Sequence, residues 1–127
     1  MPATISGNVR LTTRIYGIKN CDTMKKARTW LESHGVAYDF HDYRVEGLNR
    51  EVLARWCDEL GWETLLNKGS TTFRALPDAD RKDLDREKAI KLMLAEPTMI
   101  KRPVLDAKGK LMAGFKPERY EAAFAAY

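Results

Sequence analysis

The feature that most constrains this chain is the order in which its apolar periodicities follow one another. Residues 12–18 are a run of β-branched and aromatic side chains that predicts a strand continuing to Cys21. From Asp22 the apolar spacing becomes that of one helix face, and Gly35 is placed to end the helix. Residues 36–43 then alternate in polarity, which predicts a second strand. The first third of the chain is therefore a β-α-β unit, and Cys21 lies where its first strand ends and its helix begins.

The middle of the chain is predicted to be helical and to lead into a second pair of strands. Asn49 is expected to cap a helix that carries a continuous apolar stripe. A turn-rich stretch separates it from a shorter helix that begins near Asp85 and ends before Pro97. Residues 103–106 and 110–115 are joined by a short loop containing glycine, and they predict a β-hairpin.

A final amphipathic helix is expected after Pro117, with Tyr127 on its apolar face. A β-α-β crossover pairs its strands in parallel, whereas a hairpin adds antiparallel strands. The sequence therefore predicts an α/β fold with a mixed four-stranded sheet and helices packed on it, which is the thioredoxin-like arrangement. We expect one domain over residues 11–127, with a helical insertion at about 46–98 between the β-α-β and β-β-α halves, and a loose leader at 1–10.

Composition excludes several classes of protein. With 44% hydrophobic and 31% charged residues in 127, the chain fits one folded domain and no disordered or fibrous class. No stretch approaches the roughly 18 apolar residues of a membrane helix, and the opening residues lack the order of a secretion signal. We therefore expect a cytoplasmic protein with no membrane partner. Two cysteines and two histidines are too few for a disulfide scaffold or a zinc cage, so we expect no bound cofactor or metal.

Cys21 is the leading candidate for chemistry. A thiol at the first turn of a helix faces unpaired backbone N–H groups and the positive end of the helix dipole, and both favour the thiolate. Lys19 and Lys25 act in the same direction, whereas Asp22 opposes them. We predict that Cys21 is a nucleophile whose thiolate is stabilised by the backbone N–H groups of Asp22 and Thr23. The alternative is an ordinary, partly buried thiol.

The position three residues after Cys21 determines what kind of redox site this can be. A dithiol oxidoreductase has its second cysteine there, whereas this chain has Met24. The site can form a mixed disulfide but cannot resolve it locally, so the second thiol must come from elsewhere. Glutathione is the natural co-substrate. Cys57 lies on an apolar helix face, and we expect it to be a buried core thiol with no catalytic role.

Basic residues from later in the chain are candidates for the surroundings of Cys21. Arg102 directly precedes Pro103, where a cis peptide bond at the start of a strand would direct the arginine toward the cysteine. Arg74 is expected in a polar turn at the end of the helical insertion, and Lys116 at the end of the last strand. Our hypothesis is that the three cations converge on one anion. Taken alone, each is more often a solvated surface charge.

Four segments carry a resemblance to a known family. In chain order they are IYGIKNCDTMKKARTWLESHGVAYDFHDYR, NKGSTTFRAL, IKRPVLD and GFKPERY. Together they resemble the ArsC/Spx/YffB family of arsenate-reductase-like proteins, and the YffB branch most closely, over about residues 14–127. The resemblance implies a thioredoxin-like fold with a helical insertion and Cys21 as the redox thiol. It also implies that Arg74 and Arg102 match two of the three arginines that hold the oxyanion in glutathione-coupled arsenate reductases, with Lys116 at the third position.

The chain departs from those arsenate reductases at three places. Lys116 supplies charge without the planar, two-pronged donor set of arginine. Gly17 stands where they carry a histidine that helps activate the thiol, and Ile18-Lys19-Asn20 replaces their Asn-Pro run. We therefore expect the activity implied for the YffB branch, a glutathione-dependent thiol/disulfide oxidoreductase. The residues expected to bind substrate or glutathione are Lys19, Asn20, Asp22, Thr23, Arg74, Arg102, Pro103 and Lys116.

Two other functions stay open. One is an arsenate reductase that takes an oxyanion substrate and is coupled to glutaredoxin. The other is a non-enzymatic, Spx-like transcription regulator that binds RNA polymerase, although Met24 removes the Cys-x-x-Cys switch of that class. The net charge of +4 is weak evidence for a nucleic-acid partner. A nucleic-acid binder is not expected, because the basic residues do not alternate with aromatic ones in a recognisable module.

Overall fold

The structure, a computed structural model, describes residues 13–125 and divides into two compact units. The first unit combines the chain through Asp42 with the chain from Arg102 onward, and the second is Tyr43–Lys101. The leader expected at 1–10 and the apolar position expected at Tyr127 lie outside the described residues. The segment 46–98, predicted as a helical insertion, lies within the second unit.

A four-stranded sheet is the base of the first unit. Its strands are β1 (Thr13–Gly17), β2 (Asp39–Asp42), β3 (Val104–Ala107) and β4 (Lys110–Ala113). They lie in the order β2-β1-β3-β4, with β1 parallel to β2 and β3 antiparallel to both of its neighbours. The predicted mixed four-stranded sheet in an α/β fold is confirmed.

The helices follow the predicted order, with additional short ones in the middle of the chain. They are α1 (Asp22–Ser33), α2 (Arg50–Leu60), α3 (Trp62–Leu65), α4 (Thr71–Arg74), α5 (Asp78–Arg81), α6 (Arg86–Ala95) and α7 (Pro117–Phe124), with a 3-10 turn at Pro97–Met99. Within residues 13–125, none is long and apolar enough to cross a membrane.

An apolar stripe attaches α1 to the sheet. Met24, Ala27 and Leu31 recur at helical spacing and are fully buried. They form one core cluster with buried residues of three strands and α7, namely Ile15, Leu105, Ala107, Met112 and Tyr120. Because this cluster joins β1 to the first turns of α1, it determines where the helix begins relative to the end of the strand.

The two predicted strands of the β-α-β unit are shorter than expected. β1 ends at Gly17 and does not continue to Cys21. β2 covers only Asp39–Asp42, although residues 36–43 alternate in polarity. The reason is the pairing of the strands. Only residues 14–17 of β1 pair with β2, so only the four residues opposite them, Asp39–Asp42, form a strand, although the alternating pattern is longer. The residues after Gly17 are thereby free of the sheet and lead to the helix start.

Helix caps in the second unit agree with the predicted helix starts. The side chain of Asn49 accepts a hydrogen bond from the backbone N–H of Val52 at 2.8 Å, and that of Asp85 accepts one from Lys88 at 2.8 Å. The largest fully buried side chains of this unit are Tyr43, Leu53, Trp56, Leu65, Ile90, Met93, Met99 and Ile100.

The expectation that Arg74 lies in a polar turn is wrong. Ser70 caps α4 by accepting a hydrogen bond from the backbone N–H of Phe73 at 3.1 Å, and Phe73 itself is buried. A side-chain cap and one apolar anchor are sufficient to close a single helical turn. Arg74 is therefore the last residue of a short helix, and its side chain is exposed.

Gly17 is in close contact with the side chain of Met24. A Cβ atom at this position would lie 2.2 Å from Sδ and 2.8 Å from Cε of Met24, well inside van der Waals contact. These atoms end a flexible thioether, but Met24 is fully buried in the core cluster, so a side chain at 17 would force it to repack there. The end of β1 and the first turn of α1 are thus in direct contact through these two residues.

We expect Gly17→Ala to destabilise the fold by about 1–3 kcal/mol, the usual cost of overpacking a buried site. Met24→Ala alone should cost about 2–5 kcal/mol through the cavity it leaves. In the double variant the alanine at 17 should cost little more, because the sulfur that it would meet is gone. Urea unfolding of the four proteins measures this coupling. Strictly additive losses would contradict the contact.

Candidate functional site

Cys21 is the residue directly before α1. Its backbone is extended, with φ −148° and ψ 129°, and its carbonyl accepts the backbone N–H of Lys25 at 3.0 Å. Cys21 is therefore the N-cap residue, and its side chain is next to the N–H groups of the second and third helical residues. The residue is partly exposed and its sulfur is not in a disulfide.

The pKa of the Cys21 thiol is lowered by its surroundings. Burial, the largest single influence, raises it. Against burial act hydrogen bonds from the backbone N–H of Met24, from the side chain of Arg102 and from the backbone N–H of Thr23, together with the positive charge of Arg102. These contributions outweigh burial, so the thiolate is favoured relative to an ordinary cysteine. Asp22, which we expected to be a backbone donor, is not one of these groups, because it is the first helical residue and the N-cap side chain faces the second and third.

Arg102 reaches Cys21 from the start of β3. The peptide bond between Arg102 and Pro103 is cis, as the sequence predicted. The Nε atom of Arg102 is buried, whereas the residue as a whole is partly exposed. Pro103 is buried directly before β3, and its carbonyl accepts the backbone N–H of Gly114 at 2.8 Å. This loop places one guanidinium at the cysteine.

The other predicted anion-binding residues are exposed. Lys19 and Asn20 form the bend between β1 and Cys21, and Lys116 directly precedes α7. Within residues 13–125, none of these three side chains has a hydrogen bond or an ion pair. Arg74 belongs to the second unit. The convergence of Arg74 and Lys116 on one anion with Arg102 stays a prediction.

Met24 has a larger part in the site than the sequence indicated. Its backbone N–H is the strongest of the hydrogen-bonding influences that favour the Cys21 thiolate, and its side chain fills the space next to Gly17. The sequence indicates that Met24 belongs to the apolar helix face and that no second cysteine stands at this position, and neither observation predicts a role next to the thiol. The sequence feature that could have indicated this contact is a glycine at the end of a strand followed by a large side chain at the third position of the next helix.

Cys57 is a core residue. It lies in α2, is 5% exposed, and burial raises its pKa, with the nearby Arg86 and Asp58 acting in opposite directions. The expectation of a buried thiol is confirmed. In the part of the chain that the structure describes, no cluster of His, Cys, Asp and Glu side chains can hold a metal ion.

Known structures and proteins closely resemble this chain. A protein named YffB is 62% identical, covers 87% of this chain and 97% of its own, and superposes with a TM-score of 0.85. An arsenate reductase (ArsC) related protein from Brucella melitensis is 58% identical over 93% of this chain and 98% of its own, with a TM-score of 0.72. An uncharacterized protein from Haemophilus influenzae is 45% identical over 111 residues, which are 87% of this chain and 97% of that protein.

The sequence model of the ArsC family matches residues 16–123. This range contains the strand-to-helix junction with Cys21, the loop with Arg102 and most of α7. The alignments of this chain with the three relatives cover nearly the whole length of each relative. The resemblance seen in the sequence is thereby confirmed, and the chain belongs to the ArsC family.

Proposed function

We propose that this chain is a glutathione-dependent thiol–disulfide oxidoreductase that acts through the single thiol of Cys21. The observation that carries the proposal is a partly exposed thiol at a helix N-terminus whose pKa is lowered, with a methionine where a local resolving thiol would stand. The thiolate is the attacking form of cysteine. The other cysteine, Cys57, is buried. The resolving thiol is therefore external, and glutathione is the abundant thiol of a reducing cytoplasm.

The reaction consists of three thiol–disulfide exchanges. The Cys21 thiolate attacks one sulfur of a substrate disulfide, the substrate S–S bond breaks, and one substrate thiolate leaves. A glutathione thiolate then attacks the Cys21 sulfur and displaces the second substrate thiolate. A second glutathione attacks the glutathione sulfur of that adduct, which releases glutathione disulfide and restores the Cys21 thiolate. The substrate gains two electrons and two protons, and two glutathione molecules lose them.

Arg102 has two parts in this scheme. Its hydrogen bond and charge favour the Cys21 thiolate before attack, and they favour Cys21 as a leaving group when glutathione restores it. A guanidinium is also a suitable partner for a glutathione carboxylate. Arg74 and Lys116 are proposed as further carboxylate partners, and Lys19, Asn20, Thr23 and Pro103 as the rest of the binding surface.

Arsenate reduction is the second candidate, because a 58% identical structure is described as arsenate reductase related. Gly17 and Lys116 differ from the residues that the arsenate reductases use to activate the thiol and to hold the oxyanion. A Spx-like regulator is the third candidate, and Met24 leaves it without a two-cysteine switch.

In an assay with arsenate, glutathione and glutaredoxin, we expect turnover no greater than that of Cys21→Ser. The reason is that lysine at 116 lacks the planar donor pair that arginine offers an oxyanion. Restoring that pair with Lys116→Arg should raise arsenate turnover if any is present. Turnover by the native chain that disappears in Cys21→Ser would favour arsenate reductase over our proposal.

Incubation with glutathione disulfide at neutral pH should place one glutathione on Cys21 and none on Cys57. The exposed thiolate can attack, whereas the buried thiol is protonated and covered. Intact mass and peptide mapping check this. Cys57→Ser should react like the native chain, and Cys21→Ser should not react. A native chain that stays unmodified would overturn the proposal.

Arg102→Gln should raise the pKa of Cys21, because a hydrogen bond and a positive charge that favour the thiolate are both lost. Near neutral pH, the rate of alkylation by iodoacetamide should fall about 3- to 10-fold, the value of one hydrogen bond of about 1 kcal/mol. The plateau rate at high pH should change little. Lys110→Gln, an exposed lysine of β4, is the matched control and should leave the profile unchanged.

A further inference from the structure

A groove runs along α1 beyond the cysteine. It has a volume of about 400 Å³ and is lined by Lys25, Lys26, Thr29, Trp30, Ser33 and Phe115. All six residues belong to the first unit. The backbone of Lys25 is hydrogen-bonded to Cys21, and Phe115 and Cys21 pack against the same core cluster. The groove therefore begins one helical turn from the proposed reactive sulfur.

The apolar part of the groove is held by aromatic neighbours. The Trp30 ring stacks on His34 at 3.8 Å and meets the edge of buried Tyr120 at 5.5 Å. The Phe115 ring lies 4.7 Å from Tyr120 in an edge-to-face arrangement. Both lining rings are partly buried and partly exposed. They offer a preformed surface for one apolar or aromatic side chain, and little ordering is needed to use it.

The charged part of the groove is purely basic. Lys25 and Lys26 are exposed, and in the described chain neither side chain has an ion pair or a hydrogen bond. The remaining polar lining residues are Thr29 and Ser33, both uncharged. Two unpaired ammonium groups beside two aromatic faces are complementary to a ligand that combines carboxylates with an apolar side chain.

The length of the groove decides between glutathione and a longer ligand. Trp30 is nine residues after Cys21 in the sequence, which is about 13 Å along a helix axis. Extended peptide needs about four residues to cover that distance. Glutathione has its cysteine between a γ-linked glutamate and a glycine, so it extends at most about two residue lengths, roughly 7 Å, from that cysteine and reaches the lysines but not Trp30.

We propose that this groove docks a peptide segment of a protein substrate, with acidic side chains facing Lys25 and Lys26 and an apolar or aromatic side chain on Trp30 and Phe115. The inference rests on the proposed function, because the substrate sulfur that it positions is the one that Cys21 attacks. The segment has its sulfur about four residues from the apolar side chain, with the carboxylates between them.

The test uses synthetic peptides and the full chain. A redox-inert peptide carries serine in place of the reactive cysteine, phenylalanine four residues from the serine, and two aspartates between them. It is made in two forms, with the phenylalanine on the C-terminal or on the N-terminal side of the serine. Its binding is measured by fluorescence anisotropy against two matched peptides, one with asparagines and one with alanine in place of phenylalanine. We expect about 3- to 10-fold tighter binding of the acidic aromatic peptide in its preferred direction, the combined effect of two exposed ion pairs and one aromatic contact.

Two variants locate the binding. Lys26→Glu changes only an exposed side chain and should abolish the preference for aspartates, whereas Trp30→Ala should abolish the preference for phenylalanine. Lys110→Gln is the control and should keep both. Equal binding of all peptides would overturn the proposed docking site. It would also be overturned if Lys26→Glu kept the preference for aspartates and Trp30→Ala kept the preference for phenylalanine. Because surface ion pairs are screened, added salt should weaken the aspartate preference first.

A glutathione arm separates this inference from the proposed function. Trp30→Ala should react with glutathione disulfide at the native rate, because Cys21 is unchanged and glutathione is too short to use the aromatic end. The same variant should lose about 3- to 10-fold in rate toward the acidic aromatic peptide carrying a mixed disulfide at cysteine. If Cys21 reacts with glutathione disulfide but discriminates no peptide, only the groove is wrong. If Cys21 never reacts, the proposed function is wrong.

Discussion

The contact between Met24 and Gly17 is the constraint on which the site depends. It joins the third residue of α1 to the last residue of β1, and any side chain at 17 would displace the thioether of Met24. Burial of Met24 in the core packs the first turn of α1 against β1, and the backbone N–H groups of Thr23 and Met24 belong to that turn. These are the two donors that face the Cys21 side chain. A packing contact thereby determines the position of an electrostatic one.

The pKa of Cys21 is set by opposing influences. Partial burial disfavours a charged sulfur, and this is the largest influence on its pKa. Two backbone donors and one guanidinium together overcome it, and no single hydrogen bond from them equals the effect of burial. A deeper cysteine would lose the thiolate to desolvation, as Cys57 does. A more exposed one would meet weaker hydrogen bonds. The half-buried N-cap position therefore suits a thiol that has to be both ionised and accessible.

Much of the fold could be predicted from local patterns, because short stretches of sequence indicate where helices begin and how strands and helices follow one another along the chain. Asn49 and Asp85 cap helices through contacts three residues away, and such contacts are visible in a sequence. The length of β2 was not predictable, because it is set by the partner strand. Ser70 also caps a helix, but one turn of four residues is too short to show a periodicity.

The site likewise has one part that is visible in local sequence and one part that depends on contacts between distant residues. Cys21 could be found from the junction of a strand pattern and a helix pattern. Its contact with Arg102 could not, because Arg102 lies 81 positions later in the sequence and is brought to Cys21 by the pairing of β1 with β3. Gly17 and Met24 also form one feature of the site, because the space that a side chain at 17 would need is filled by the thioether of Met24. A side chain at 17 would therefore require Met24 to repack, and the groups that lower the pKa of Cys21 are backbone donors and Arg102.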